Sequence, residues 1–388
     1  MDKPAIHGGK PMFEQRVNIV RPVLPRLETM AADIQGFLST GMVTKGVHLK
    51  RFEEACAEHL GVKHAVGVSS CTSGLMLAYP ALGLAGCEVL VPSFTFMASV
   101  SSMVWNQMTP VFVDIDYQSA NVDPASLEAA ITPRTRAIVA VHTFGNPAQV
   151  EALEALARKH NLKVVYDAAH GFGSLYQGKT LGRFGDVQAY SLSPSKLVIA
   201  GEGGIVATNS DEVAAYVRLG REYGNDGKYD SAFAGMNARL GEFNAVLGLA
   251  SLSMLDQAVR RRNEYVEIYR QQLHQVPGLS FQSVASGNRS SYKDFCLMVE
   301  SERFGLSRDR LSEALQAENI DTRHYFDPAA HNQTAYRKFY TGQPLPQTAR
   351  LEKEALSLPL WSEMDEGVIE KIARAIVRIH EHAVAAKA

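Results

Sequence analysis

Seven short apolar runs recur through the first half of this chain, and they constrain its fold more than any other feature. Residues 65–68, 88–92, 110–115, 136–142, 163–166, 187–192 and 205–208 each carry one or more valines, and small or polar turn residues lie between them. Helical patterns fill some of the gaps: 47–60, ending near Gly61, and 149–160, with Val150, Leu153 and Leu156 on one face. Strands alternating with helices build an α/β layer around a largely parallel sheet. Ligands of such sheets sit at the carboxyl ends of the strands. Asp167, Phe96 and the 69–73 turn all fall at such ends, so they are expected to share one site.

At 388 residues the chain is too long for one ordinary core, and two domains are expected: a large one over 1–250 with an N-terminal arm, and a smaller α+β one over 251–388. The first forty residues are Pro-rich before turning helical at 27–38, and are expected to lie across another surface, such as a partner subunit. Residues 221–239 are rich in Gly, Asp and Asn without periodicity, as functional loops are. A helix follows from about Glu242 and a longer one over 252–273. The second domain is read as a strand at 294–299, a helix at 308–317 and a last helix with Val368, Ile369, Ile372, Ile376 and Ile379 on one face. A net charge of -2 gives no basis for a nucleic-acid or membrane partner. No apolar run approaches the roughly 20 residues that span a bilayer, and the N-terminus lacks the apolar core of a secretion signal. Cys56, Cys71, Cys87 and Cys296 form no C-x-x-C pair, so no metal is expected and a reduced, cytoplasmic setting is the simplest reading. Cys296, in D-F-C-L-M-V, reads as a core-strand residue and not as a mobile catalytic thiol.

The chemistry concentrates between residues 164 and 204. V-V-Y-D ends on Asp167, A-A-H ends on His170, S-L-S-P-S-K runs from Ser191 to Lys196, and G-E-G-G closes the stretch at Gly204. Holding pyridoxal phosphate takes a lysine for its aldehyde, a carboxylate for its ring nitrogen, a cup for its phosphate and a flat group on its ring. Lys196 and Asp167 suit the first two roles, Thr72, Ser73 and Ser191 can bind phosphate, and Phe96 can stack on the ring. A helix beginning after S-S-C-T-S-G presents free N–H groups to an anion. The same serines also read as a plain helix cap, which local sequence favours. Taken singly, each of these residues has an ordinary structural reading; it is their shared order and placement that point to a phosphate-bearing cofactor.

At these residues the chain resembles the sugar aminotransferases of the StrS/DegT type. The likeness runs through T-K-G-V-H-L-K-R-F-E, V-P-S-F-T-F, P-V-F-V-D-I-D, F-G-N-P, Y-D-A-A-H-G-F-G, G-R-F-G-D-V, S-L-S-P-S-K, G-E-G-G-I-V-A-T, G-M-N-A-R-L-G-E and R-H-Y-F-D-P-A-A-H. The resemblance implies the fold of type I pyridoxal-phosphate transferases, with the Schiff base on Lys196, Asp167 at the ring nitrogen, His170 near the phenolic oxygen and Phe96 on the ring. It implies Thr72, Ser73 and Ser191 at the phosphate, and Asn237 at the phosphate of the neighbouring subunit, hence an obligate homodimer with shared active sites. Arg239, Tyr325 and His331 are implied near the substrate. The sequence departs from the family at Cys71, where relatives carry glycine, and at L-V-I-A-G after the lysine. The implied reaction moves the amino group of L-glutamate or glutamine, by way of pyridoxamine phosphate, to a nucleotide-linked keto-deoxysugar such as a dTDP- or UDP-4-keto-6-deoxyhexose. Two alternatives are a transaminase of a free keto-cyclitol or unattached keto sugar, and a non-catalytic regulatory protein that binds the cofactor. Lys196, which one dehydratase branch replaces with His, favours transamination, and the intact set of Lys196, Asp167 and phosphate cup disfavours the regulatory reading.

Overall fold

The computed structural model describes residues 3–385. Nine strands form the first half: β1 (His64–Val68), β2 (Glu88–Pro92), β3 (Thr109–Val113), β4 (Thr135–Val141), β5 (Lys163–Asp167), a small hairpin of β6 (Leu175–Tyr176) and β7 (Lys179–Thr180), then β8 (Val187–Ser191) and β9 (Gly204–Thr208). Seven of them make one sheet in the order β1-β9-β8-β5-β4-β2-β3. Only β9 runs against its neighbours, so the sheet is mixed and mostly parallel, as the sequence predicts. Alternation along the strands explains why both faces are covered. Val89, Val91, Val139 and Val165 enter one core, while Leu90, Ile138, Ala140 and Val164 enter the core on the opposite face. The crossover helices Met97–Trp105 and Pro124–Ala130, and the helix Asp211–Gly220 after the last strand of the sheet, were not legible as periodic segments. The shortest is set by its ends: Asp123 accepts from the N–H groups of Ala125 and Ser126, and Pro124 stands at its first turn.

The second half holds a three-stranded antiparallel sheet in the order β10-β11-β12, from Leu279–Phe281, Phe295–Val299 and Ala355–Leu358. The helices Leu255–Leu273, Arg308–Ala317 and Glu366–Ala385 close its core around Tyr269, Leu297, Leu311, Ile372 and Ile376. On the last helix Ile369, Ile372, Ile376 and Ile379 are buried as expected, whereas Val368 is only partly covered. β10 and β12 went unread because runs of three or four residues carry almost no period-2 signal. The N-terminal arm lies on this second core of its own chain. Met12, Phe13 and Val17 pack on it, and the N–H groups of Ala5 and Met12 each donate to the buried Glu318 carboxylate at 2.8 Å.

A second buried carboxylate pins the start of the Val47–Leu60 helix. Glu242, fully buried, accepts from the N–H groups of Gly46, His48 and Leu49 at 3.0 Å each. These are donors that a helix N-terminus cannot satisfy internally. Glu242→Ala is therefore expected to lower unfolding free energy by about 3 kcal/mol, read from the shift of a denaturation midpoint. An unchanged midpoint would show that the three donors find water instead.

Candidate active site

The carboxyl ends of the parallel strands surround a cavity of about 370 Å³. β5 delivers Asp167, β8 delivers Ser191, and the loop after β8 carries Lys196. The turn after β1 brings Ser70, Cys71 and Thr72, and the loop after β2 brings Thr95 and Phe96. From the second sheet come Lys293 and Asp294, with Tyr325 and Phe326 completing the wall. Thr95, Phe96, Tyr325 and Phe326 also line an outer cleft of about 710 Å³, where Arg16, Asp321 and Arg323 stand. Phe96 is half exposed where the two spaces meet.

Asp167 is buried and accepts from Ser99 Oγ at 2.6 Å and the Ala169 N–H at 3.1 Å, with the Cys71 thiol a longer contact at 4.0 Å. Burial raises its carboxyl pKa, opposed by those hydrogen bonds and by the charge of Lys196. A cationic ring nitrogen placed against it would favour the ionised form. Lys196 moves the other way. Burial, then the neighbouring Lys293 ammonium, brings it down to about 8, against the pull of Asp294, Cys71 and Asp167. Its amine is thus available near neutral pH, as a nucleophile or proton carrier needs. In cofactor-free protein, reductive methylation of Lys196 is expected to rise with pH to a plateau and be half-maximal near pH 8, since only the unprotonated amine reacts. Peptide mass mapping checks this, and a midpoint near that of surface lysines would refute it.

His170 is held well below the ordinary histidine range, first by burial and then by the charges of Lys196 and Lys293, so its ring is neutral. The ring lies parallel to Phe144, and its buried Nδ1 has no hydrogen-bond partner among the described residues. That unsatisfied atom, the carboxylate of Asp167 and the free amine of Lys196 on one cavity wall are what pyridoxal phosphate requires of its host, and the residues fit it.

At the turn after β1 the helix-cap reading holds for Ser70 and Ser73. Ser70 caps the Cys71–Ala81 helix: its Oγ accepts from the Ser73 N–H at 3.0 Å, while Ser73 Oγ accepts from the Ser70 N–H at 3.0 Å and donates to the Ser70 carbonyl at 2.8 Å. Ser73 is spent in this box and lies off the cavity wall, whereas Thr72 and Ser191 are on it. The Cys71 thiol donates to the Ala189 carbonyl at 3.4 Å, and burial keeps it protonated. Gly204 allows β9 to press on this turn, because a Cβ there would stand 2.6 Å from the Cys71 nitrogen.

The remaining expected residues lie elsewhere. Asn237 is exposed, and Arg239 pairs with Glu222 at 3.1 Å beside Tyr223; neither lines the cavity. His331 is buried behind the wall, its Nδ1 2.6 Å from Ser93 Oγ. Tyr325 is on the wall. Sequence reasoning missed Ser99, Lys293 and Asp294. Ser99 needed the unread helix that starts after Phe96, but Y-K-D-F-C-L, two charges run into a buried strand, was a visible signal.

Comparison with known proteins agrees with this geometry. The GDP-perosamine synthase of Caulobacter vibrioides is 33% identical over 369 residues, covering 92% of this chain and 99% of that one. The dTDP-4-amino-4,6-dideoxy-D-glucose transaminase of Shigella dysenteriae is 33% identical over 368 residues, covering 95% and 100%. The crystal structure of DesI with its TDP-sugar product superposes with a TM-score of 0.91 at 33% identity, covering 100% of this chain and 99% of that one. A sequence model of the DegT/DnrJ/EryC1/StrS aminotransferase family matches residues 27–377, and with cavity, fold and relatives in agreement, the chain belongs to that family and is a pyridoxal-phosphate-dependent aminotransferase.

Proposed function

We propose that this enzyme moves an amino group from L-glutamate or glutamine to the 4-keto carbon of a nucleotide-linked 6-deoxyhexose, carried by dTDP or UDP, in amino-sugar biosynthesis. The observation that carries the reading is the junction of two spaces. The inner cavity with Asp167 and Lys196 opens past Phe96 and Tyr325 into the larger outer cleft. There Arg16 and Arg323 share the carboxylate of Asp321, at 2.9 and 3.0 Å, while Asp327 on the same wall is engaged by Arg308 at 2.6 Å, so two guanidinium groups suited to a diphosphate stand in the cleft. Relatives named for GDP- and dTDP-linked amino sugars support the same class.

Bound pyridoxal phosphate supplies the electron sink that lets a proton leave the carbon next to nitrogen. The chain's own residues do the rest. Asp167 would keep the ring nitrogen protonated, neutral His170 would serve the phenolic oxygen, and Thr72 and Ser191 would hold the phosphate at the helix N-terminus. Lys196 Nζ takes the proton as base and returns it as acid, once in each direction. Donor and acceptor occupy the same cavity in turn, so initial-rate lines should be parallel. Turnover with a panel of dTDP-, UDP- and GDP-linked 4-keto sugars plus glutamate tests the reading; failure with all of them would sink it, and turnover of a free keto-cyclitol would favour the alternative.

The exposed Met42, Val43, Val47 and Phe243 make an apolar surface near the 237–241 loop, which supports a homodimer that brings Asn237 to the partner's phosphate. Mixing Lys196→Ala and Asn237→Asp proteins under subunit exchange is then expected to restore roughly a quarter of wild-type activity, since half the dimers are mixed and each holds one complete site. No recovery would mean that the sites are not shared.

A further inference from the structure

Lys293 and Asp294 sit at the entry to β11, and they are the most heavily buried charges on the cavity wall outside Asp167. Lys293 is 4% exposed and Asp294 7%, and their Nζ and Oδ1 atoms are 2.7 Å apart. Their backbone is fixed from two sides. The Lys293 N–H donates to the Phe144 carbonyl at 2.9 Å, and Arg262 Nη1 donates to the carbonyls of Tyr292 and Lys293 at 2.9 and 3.0 Å. The pair is nonetheless unfinished. Asp294 Oδ2 is buried with no hydrogen-bond partner, and Lys293 Nζ uses one of its three donors among the described residues.

Stability does not account for such a pair, because burying two charges costs more than burying apolar groups of the same size unless every lone pair and proton is used. What remains unused is two N–H donors beside one carboxylate oxygen, on a wall shared with Lys196 and Tyr325. The pair is neutral as a whole, so it is a poor receptor for the carboxylates of an amino-acid donor. It matches neighbouring hydroxyl groups, each of which can accept from an ammonium and donate to a carboxylate. Donor-derived keto acids have no such hydroxyls; sugars do.

We propose that Lys293 and Asp294 form a clamp that reads adjacent hydroxyl groups of the acceptor sugar and so sets the enzyme's preference for a polyhydroxylated ketone over a keto acid. The proposal rests on the reading of the reaction as amino transfer to a sugar. Its test uses the cofactor-loaded enzyme and the variants Asp294→Asn and Lys293→Met. Each is first aminated with glutamate. It is then mixed with either a dTDP-4-keto-6-deoxyhexose or 2-oxoglutarate, and the return of the cofactor's absorbance is followed in a single turnover. The quantity read is the ratio of the two rate constants, sugar over keto acid, in which any change at Lys196 common to both acceptors cancels. The clamp predicts that this ratio falls by about 10- to 100-fold in both variants. Equal losses with the two acceptors, or an unchanged ratio, would overturn it. If the wild-type enzyme accepts no nucleotide-linked sugar, the functional reading fails on its own. The same ratio is then measured with a free keto-cyclitol, which also bears adjacent hydroxyls, and an enzyme that uses neither ketone refutes the clamp as well.

Discussion

Lys196→Ala is expected to lower turnover by about four orders of magnitude or more, because it removes the nucleophile and the proton carrier together. The effect should be specific to this amine. Lys196 shares a partly buried wall with one other lysine, Lys293, and among the described residues no further lysine lines the cavity. Visible absorbance of the protein mixed with pyridoxal phosphate should be lost or displaced toward that of the free aldehyde. A small external amine should restore a few-fold of the lost rate by standing in for the missing base. Turnover and absorbance both unchanged in the alanine variant would remove Lys196 from the centre of the chemistry.

Asp167→Asn is expected to cost about 100- to 1,000-fold in kcat, comparable to the removal of one preorganised charge-stabilising group elsewhere. The amide keeps the shape, and it can still accept from Ser99, 2.6 Å away in the native chain, but it cannot hold a proton on the ring nitrogen by charge. Ser99→Ala should fall between the wild type and Asp167→Asn, since it leaves the charge and loosens its position. Measuring kcat at saturating cofactor separates this electronic effect from weakened cofactor binding. Activity of Asp167→Asn within about three-fold of wild type would contradict a role for the carboxylate in stabilising the transition state.

How much of this was legible in the sequence depended on the range of each interaction. The seven sheet strands were read within a residue or two, because a buried parallel strand is a run of valines whatever lies beside it. Asp167, Ser191 and Lys196 were legible for the same reason: they stand at or just after strand ends that the pattern locates. The division of labour at the Ser70–Ser73 turn was not, since a serine that caps a helix and one that faces a ligand look alike until side-chain directions are known. The Lys293–Asp294 pair came from the weakly patterned second sheet, and its place beside Lys196 is decided by packing between residues about a hundred positions apart. Asn237, Arg239 and His331 were placed by family likeness alone, and within one chain they lie off the cavity.

The N-terminal arm has a practical consequence for anyone handling the protein. Arg16 belongs to that arm and also stands in the outer cleft, while Ala5 and Met12 satisfy Glu318, which Arg378 engages from the last helix. Trimming the first twenty residues to tidy the chain would therefore strip a wall from the vestibule and leave a buried carboxylate with one of its three donors. An affinity label fused ahead of the arm is a safer modification than any deletion within it, and loss of activity in a shortened protein should not be mistaken for loss of a catalytic residue.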